Sequence, residues 1–283
     1  MLRRQRWLIP YLFLVPGGLW LLAFFVVPML VMASVSLQEG SLGRGYALTW
    51  NFGIYPAALE RWAPQFARSV GYALAVTALS LAIGYPMAYT IATRGGRRKS
   101  LLLLLVILPF FTSFLIRTLA WKLILADSGF ALGTLKEIGV LDPGFRVIAT
   151  PMAVISGLTY NFLPFMVLPI YVALEKIDVR LLEASTDLYA SRLQSFLRVT
   201  LPLSLPGVFA GSLLTFIPAV GDFINAEILG SRDTTMIGNV IQRLFLDSND
   251  YPQAAALGFV LIAAILLMVG VYARVVGGDR LTA

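Results

Sequence analysis

Six stretches of this chain, 7–38, 69–93, 100–116, 147–174, 199–221 and 251–273, contain no Asp, Glu, Lys or Arg. A charge near the centre of a bilayer costs several kcal/mol, so long uncharged apolar intervals mark the segments that can lie in hydrocarbon. Crossing a core of ~30 Å takes about 20 apolar residues in a helix. Five intervals are long enough outright, and the third becomes so if Arg117 snorkels to the surface. A transmembrane barrel needs short alternating segments, and the unbroken run Leu101-Leu-Leu-Leu-Leu-Val106 does not alternate. The expectation is an all-α integral membrane protein with six transmembrane helices. Composition agrees: 58% of the residues are hydrophobic and 13% charged, about half the ~25% charge of a soluble domain.

Arg3, Arg4 and Arg6 precede the first interval, but that interval far exceeds the apolar core of a signal peptide. It is read as a retained span, roughly 11–37. Lys and Arg in loops hold a segment on the cytoplasmic side. One side of the six-span arrangement collects 13 basic and 5 acidic residues, including Arg94, Arg97, Arg98, Lys99, Lys176, Arg180, Arg192, Arg198, Arg274 and Arg280. The opposite side holds 9 basic and 10 acidic residues. Both termini are therefore predicted to be cytoplasmic, and the net charge of +7 reads as an orientation signal toward membrane lipid rather than as a nucleic-acid footprint. The outer segment 38–68 is expected to be irregular or partly helical, the inner loop 94–99 a tight basic turn, and 175–198 the long inner segment where a partner would dock.

The chain has no His and no Cys, which removes His-based hydrolase triads, thiol nucleophiles and the usual zinc and haem ligands. Gly95-Gly-Arg-Arg-Lys99-Ser100 ends like a phosphate-binding loop, but Arg98 stands where that loop needs Gly. No catalytic residue and no metal site is expected, and a membrane enzyme is a distant alternative.

Within the inner segment, Leu181, Leu182, Leu188, Leu193, Phe196 and Leu197 recur at near-helical spacing, and Pro202, Pro206 and Gly207 then break the path before the next span. A short surface helix turning into the membrane fits both facts; a connector without a partner is the plain alternative. Glu183, Ala184, Ala190, Phe196, Val199, Leu201, Pro202, Leu203, Pro206 and Gly207 stand at places matching the cytoplasmic "EAA" loop of bacterial ABC importer permeases, which this chain resembles. Two residues depart from that pattern: Ser185 replaces the second Ala and Tyr189 the usual Gly. Tyr disfavours a left-handed turn, so either the bend differs here or the partner's groove takes an aromatic ring.

The resemblance covers roughly 67–273. Leu115-Ile-Arg117-Thr-Leu-Ala-Trp121, Asp127-Ser-Gly129, Leu163-Pro164-Phe165-Met166-Val-Leu-Pro169-Ile-Tyr171 and Met236-Ile-Gly238-Asn239-Val-Ile241-Gln242 with Pro252 are similar to the spermidine/putrescine branch, with iron, thiamine and small-organic-anion permeases close behind. The resemblance implies an ABC importer type I permease fold: a first span and long periplasmic loop at 1–66, a core of five spans at 67–275 with a coupling loop at about 176–202, and a cytoplasmic tail at 276–283. It implies a multi-pass subunit of the bacterial cytoplasmic (inner) membrane. Its partners would be a second permease subunit, more fittingly a different chain than a copy, two ATPase subunits carrying ATP and Mg, and a periplasmic or extracellular substrate-binding protein. No cofactor is expected in the chain itself. Glu183, Ala184, Ser185, Asp187, Leu188, Tyr189, Ala190 and Ser191 would dock the ATPase.

Candidates for the substrate path come from polar residues within or beside the spans. Asp222, Asn225 and Glu227 close the fifth span at its outer end, and a carboxylate there would offer a counter-charge to an ammonium group; solvation at the interface is the plain alternative. Asp222 and Asn225 share a helix face, while Glu227 points elsewhere. Asn161, beside Tyr160 in the fourth span, invites an interhelical hydrogen bond or a pore-lining role. Gly207 and Gly211 form a G-x-x-x-G pair for close packing within the chain or between two chains. An ion-coupled secondary transporter is the runner-up, though the spans hold few acids to couple ions.

Overall fold

The computed structural model describes the chain from Leu8 to Gly277, with side chains from Phe13 to Arg274. Arg3, Arg4, Arg6, Arg280 and most of the tail 276–283 lie outside the described residues. The helices are α1 (Leu8–Leu21), α2 (Val27–Ser36), α3 (Ile54–Arg94), α4 (Lys99–Ile107), α5 (Phe114–Ile124), α6 (Phe130–Glu137), α7 (Pro151–Glu175), α8 (Val179–Asp187), α9 (Arg192–Ser195), α10 (Leu201–Val220), α11 (Ile224–Leu229), α12 (Ile237–Leu246) and α13 (Tyr251–Gly277). The two strands are β1 (Gln38–Ser41) and β2 (Gly45–Leu48).

Among the described residues, five helical stretches are long and apolar enough to cross a membrane: Phe13–Ser36, Ile54–Arg94, Pro151–Glu175, Arg192–Val220 and Tyr251–Arg274. A sixth is reached when the pair Gly96–Phe111 and Phe114–Ile124, bent by 94°, is taken as one broken span. The bend has a local cause. Pro109 has no N–H to continue the helix, the chain tightens into a 3-10 turn over Leu108–Phe111, and Thr112 and Ser113 are extended. The hydroxyl of Thr112 donates to the Pro109 carbonyl at 2.7 Å, closing the broken end.

Within the described residues the chain forms two compact units, one comprising the residues up to Trp62 with Ile241–Ala263, the other Ala63–Val240 with the residues from Ala264 on. In the first unit, α1 and α2 run on through a π-helical turn at Leu22–Val26. The outer segment, expected to be irregular or partly helical, contains an antiparallel hairpin with Gln38 opposite Leu48 and Ser41 opposite Gly45, followed by the start of α3. Gly45, at φ +79°, takes the backbone where only glycine is unstrained. Tyr46 hydrogen-bonds the Asn249 carbonyl, and its ring lies 5.5 Å from that of Tyr251.

In the second unit α7 is the centre: 61% of its most apolar window is buried in the chain, against 0% for Phe13–Ser36. Thr150 is extended and Pro151 opens the helix at a position that needs no N–H donor. Met166, Val167, Ile170 and Leu174 pack with Ala88 of α3 in a buried cluster. On the other side α10 lies against α7 through Gly207 and Gly211. A Cβ on Gly207 would sit 2.6 Å from Ala173 Cβ and from the Pro169 carbonyl oxygen, and one on Gly211 would sit 3.0 Å from the Met166 carbonyl oxygen. The glycine pair thus serves packing within this chain. The inner loop is a tight turn, with Gly95 closing α3 and a 3-10 turn at Gly96–Arg98. Lys99 then pairs with Glu175 at 2.9 Å, tying the start of α4 to the end of α7.

Candidate functional site

Two groups of residues form candidate sites: an exposed inner segment between α7 and α10, and a buried polar cluster where α5, α7 and α11 meet.

The inner segment begins at Asp178, whose carboxylate accepts from Arg180 N at 2.9 Å and caps α8. The far end of α8 is closed by a complete Schellman motif: Ala190 N donates to the Ser185 carbonyl at 3.0 Å and Tyr189 N to the Thr186 carbonyl at 2.9 Å. Such a turn needs its central residue in the left-handed region, and Tyr189 takes it at φ +58°. The bend is therefore kept although Tyr stands where the resembled pattern has Gly, and the ring is left 97% exposed. Ser191 opens α9 with a capping box, its hydroxyl accepting from Gln194 N and its own N–H donating to Gln194 Oε1 at 2.9 Å.

The second departure also has a structural account. Ser185 is buried, its hydroxyl donates to the Leu182 carbonyl at 2.7 Å, and Ser195 Oγ lies 2.7 Å away, so the residue that replaces Ala bridges α8 to α9. Glu183, Ala184, Asp187, Leu188 and Ser191 are exposed. At the membrane end, Phe196 meets Tyr85 and Tyr89 of α3 edge to face at centroid distances of 5.8 and 5.6 Å. Tyr85 in turn lies 2.8 Å from Ser204 Oγ of α10. The segment that follows α9 is thereby in contact with α3, and through Tyr85 with α10. Nothing in the spacing of Tyr85 and Tyr89 points to this contact, because an aromatic pair four residues apart on a span also fits lipid contact.

In the buried cluster, the structure brings together three of the five path candidates. Asn161 Nδ2 donates to Asn225 Oδ1 at 3.0 Å and to Thr118 Oγ1 at 3.2 Å. Asn225 donates to Asp222 twice, from its backbone N to Oδ1 at 2.9 Å and from Nδ2 to Oδ2 at 3.1 Å. Thr118, Asn161, Asn225 and Asp222 are all at least nine-tenths buried. This is the interhelical bond expected of Asn161, extended to a third helix. Burial pushes the Asp222 carboxyl up to about 6, against the opposing pull of the Asn225 donors. Both of its oxygens accept from Asn225, at the start of α11. Thr118 was not singled out from the sequence: a threonine in a helix commonly bonds its own carbonyl four residues back, and here it lies 3.1 Å from the Phe114 carbonyl as well.

The other two candidates stand apart from this cluster. Glu227 is exposed and accepts from Asn239 Nδ2 at 3.1 Å. Tyr160 is 37% exposed, its ring packed against that of Trp121 at 5.4 Å.

Arg117 corrects the sequence reading. A straight third helix would carry it to the outer surface, but α5 starts afresh after the 94° bend, and Arg117 is buried with its guanidinium 4.7 Å from the Phe110 ring centre and 5.7 Å from that of Phe114. The cation is stabilised by two aromatic faces in place of water. Lys122, one turn further on, is exposed.

Residues 80–277 match the model of the binding-protein-dependent transport system inner membrane component family. The chain belongs to that family. This permease is 39% identical to the spermidine/putrescine transport system permease protein PotB of Haemophilus influenzae, over 90% of each chain. It is 38% identical to PotB of Escherichia coli, over 90% of this chain and 93% of that one. Among solved structures, the permease fold is shared with a bacterial ABC transporter involved in the import of the acidic polysaccharide alginate, at TM-score 0.71 and 23% identity, covering 98% of this chain and 97% of that one. Membership sets aside the ion-coupled alternative.

Proposed function

We propose that this chain is the membrane-spanning subunit of an ATP-driven, binding-protein-dependent importer of polyamines such as spermidine and putrescine. The observation that carries the substrate class is the identity of nearly two residues in five to spermidine/putrescine permeases along nine-tenths of the chain. In this reading the subunit sits in the bacterial inner membrane beside a second, different permease. Two ATPase subunits hold ATP and Mg on the inner side, and a soluble binding protein delivers cargo to the outer loops. Hydrolysis belongs to the ATPases; this chain converts their movement into opening and closing of the path.

The segment formed by α8, α9 and the turn between them is the docking element. Glu183, Ala184, Asp187, Leu188 and Ser191 present it to solvent, and Phe196 links it to α3, which supports transmission from a docked ATPase to the spans. Replacing Glu183 by Ala is expected to lower ATP-dependent uptake of radiolabelled spermidine at least tenfold and to reduce co-purification of the ATPase. Unchanged values for both would refute the docking role.

For the path, the division between exposed and buried candidates favours Glu227 and Tyr160 as contacts for a passing ammonium group, with Asp222, Asn225 and Asn161 holding α5, α7 and α11 in place. Glu227→Gln is expected to slow spermidine uptake several-fold while the four-subunit assembly still purifies intact. Uptake at the unaltered rate would remove Glu227 from the path.

A further inference from the structure

We infer that Tyr189 is an aromatic anchor that seats this permease in its own ATPase, a specificity-determining residue in place of a neutral turn residue. The inference rests on the docking role proposed for α8 and α9 and goes beyond it by naming the side chain that selects the partner.

The turn at 189 is built from backbone. Both hydrogen bonds of the Schellman motif run between main-chain atoms, from Tyr189 N and Ala190 N to the carbonyls of Thr186 and Ser185. Glycine would fill this position without strain, whereas a residue with a Cβ and an aromatic ring is held at φ +58° against its preference. Among the described residues, only those main-chain bonds hold the turn; the ring adds nothing to it. The ring is 97% exposed, and among the described residues Tyr189 makes no ring contact and no side-chain hydrogen bond.

Its neighbour Leu188 is 82% exposed, so two consecutive large side chains project into solvent, on a segment that also exposes Leu181, Leu193 and Leu197. Exposed Glu183, Thr186, Asp187, Ser191 and Arg192 flank them in sequence. Exposed aliphatic and aromatic side chains interspersed with polar ones are the material of a binding hot spot, and tyrosine is among the residues most enriched at hot-spot centres. The occupant is the ATPase subunit, because the pair lies on the element proposed to dock it. The complementary surface is a pocket with apolar walls wide enough for a phenol ring. A permease with glycine at this place would leave that pocket empty.

The test uses the permease pair in lipid nanodiscs, titrated with the purified ATPase subunit of the same transporter, with melting of the ATPase-free permease pair as a second readout. Tyr189→Gly is expected to weaken ATPase binding about tenfold, while the melting temperature stays level or rises, since glycine relaxes the turn. Tyr189→Phe keeps the ring and is expected to bind within threefold of the unaltered protein. Glu183→Ala serves as the control for the docking role. If Glu183→Ala weakens binding and Tyr189→Gly does not, the anchor is overturned and the docking element stands. If neither weakens binding, the docking reading falls and the anchor with it. A drop in melting temperature for Tyr189→Gly would also overturn the inference, since the ring would then be stabilising the permease itself.

Discussion

Gly207→Leu is expected to abolish accumulation of folded permease in the membrane. The reason lies in what faces Gly207 across the α7–α10 contact. A Cβ would fall 2.6 Å from the Pro169 carbonyl oxygen and from Ala173 Cβ, and 3.0 Å from Ile170 Cα. Two of these are backbone atoms of α7, and the third is a methyl group fixed directly to it. None can swing aside as the end of a long side chain could. The helices must part, and the contacts around buried Met166 and Ile170 separate with them. Overpacking a tight core commonly costs about 1–3 kcal/mol, and a backbone collision lies at or above the top of that range. Fluorescence-detected size exclusion of the tagged protein would read the loss as a collapse of the monodisperse peak. Gly270→Leu is the matched control: it adds the same side chain to another apolar helix at a glycine with nothing within 4 Å, and its peak should survive.

Asn225→Leu is expected to lower stability by roughly 3 kcal/mol, from buried polar groups left without partners at about 1–3 kcal/mol each. The substitution keeps the number of side-chain heavy atoms and removes the amide that joins three helices. Asn161 Nδ2 loses the acceptor 3.0 Å away, and Asp222 Oδ2 loses its side-chain donor, while the bond from the backbone N of residue 225 persists. Loss of a donor to the charged form moves the Asp222 carboxyl further up. Pairing Asn225→Leu with Asp222→Leu removes the stranded carboxylate as well, and the double variant should recover part of the loss. Thermal melts of the four proteins of this cycle in one detergent give the coupling directly. Additive losses would mean that the two side chains act independently.

The spans were legible because the cost of burying charge is large and local. Each long interval without charge from 147 onward coincides with a helix to within a few residues, as with Pro151–Glu175 for 147–174 and Leu201–Val220 for 199–221. The third interval was legible only as apolar. Its 94° break depends on Pro109 and on the extended Thr112 and Ser113, and proline inside a span is no sure sign of a break: Pro164 and Pro169 lie within the continuous helix α7. Arg117 was misplaced for that reason, since its distance along a straight helix meant nothing once the axis turned.

Polar residues were legible as candidates and not as partners. Asp222 and Asn225 meet, though not on one face of a continued fifth span as their spacing suggested: α10 ends at Val220 and Asp222 accepts from Asn225 at the start of α11. Thr118 and Asn161 are 43 positions apart and only the fold unites them. In the inner segment the motif located the turn, and the handedness of Tyr189 became visible only through its backbone angle. The hairpin at 38–48 is hard to read because β1 is Gln-Glu-Gly-Ser and β2, Gly-Tyr-Ala-Leu, offers only Tyr46 as a strong strand former.

The side-chain hydrogen bonds of residues 178–195, from the Asp178 cap through the Ser185 and Ser195 hydroxyl pair to the Ser191 capping box, begin and end inside that segment. A piece of chain whose polar bonds close upon themselves can change its outward face without disturbing the helices it joins. On the docking reading proposed above, the face offered to the ATPase can therefore be refitted by substitution apart from the glycine-lined seam of α7 and α10. The two parts would stay joined where Phe196 packs on Tyr85 and Tyr89.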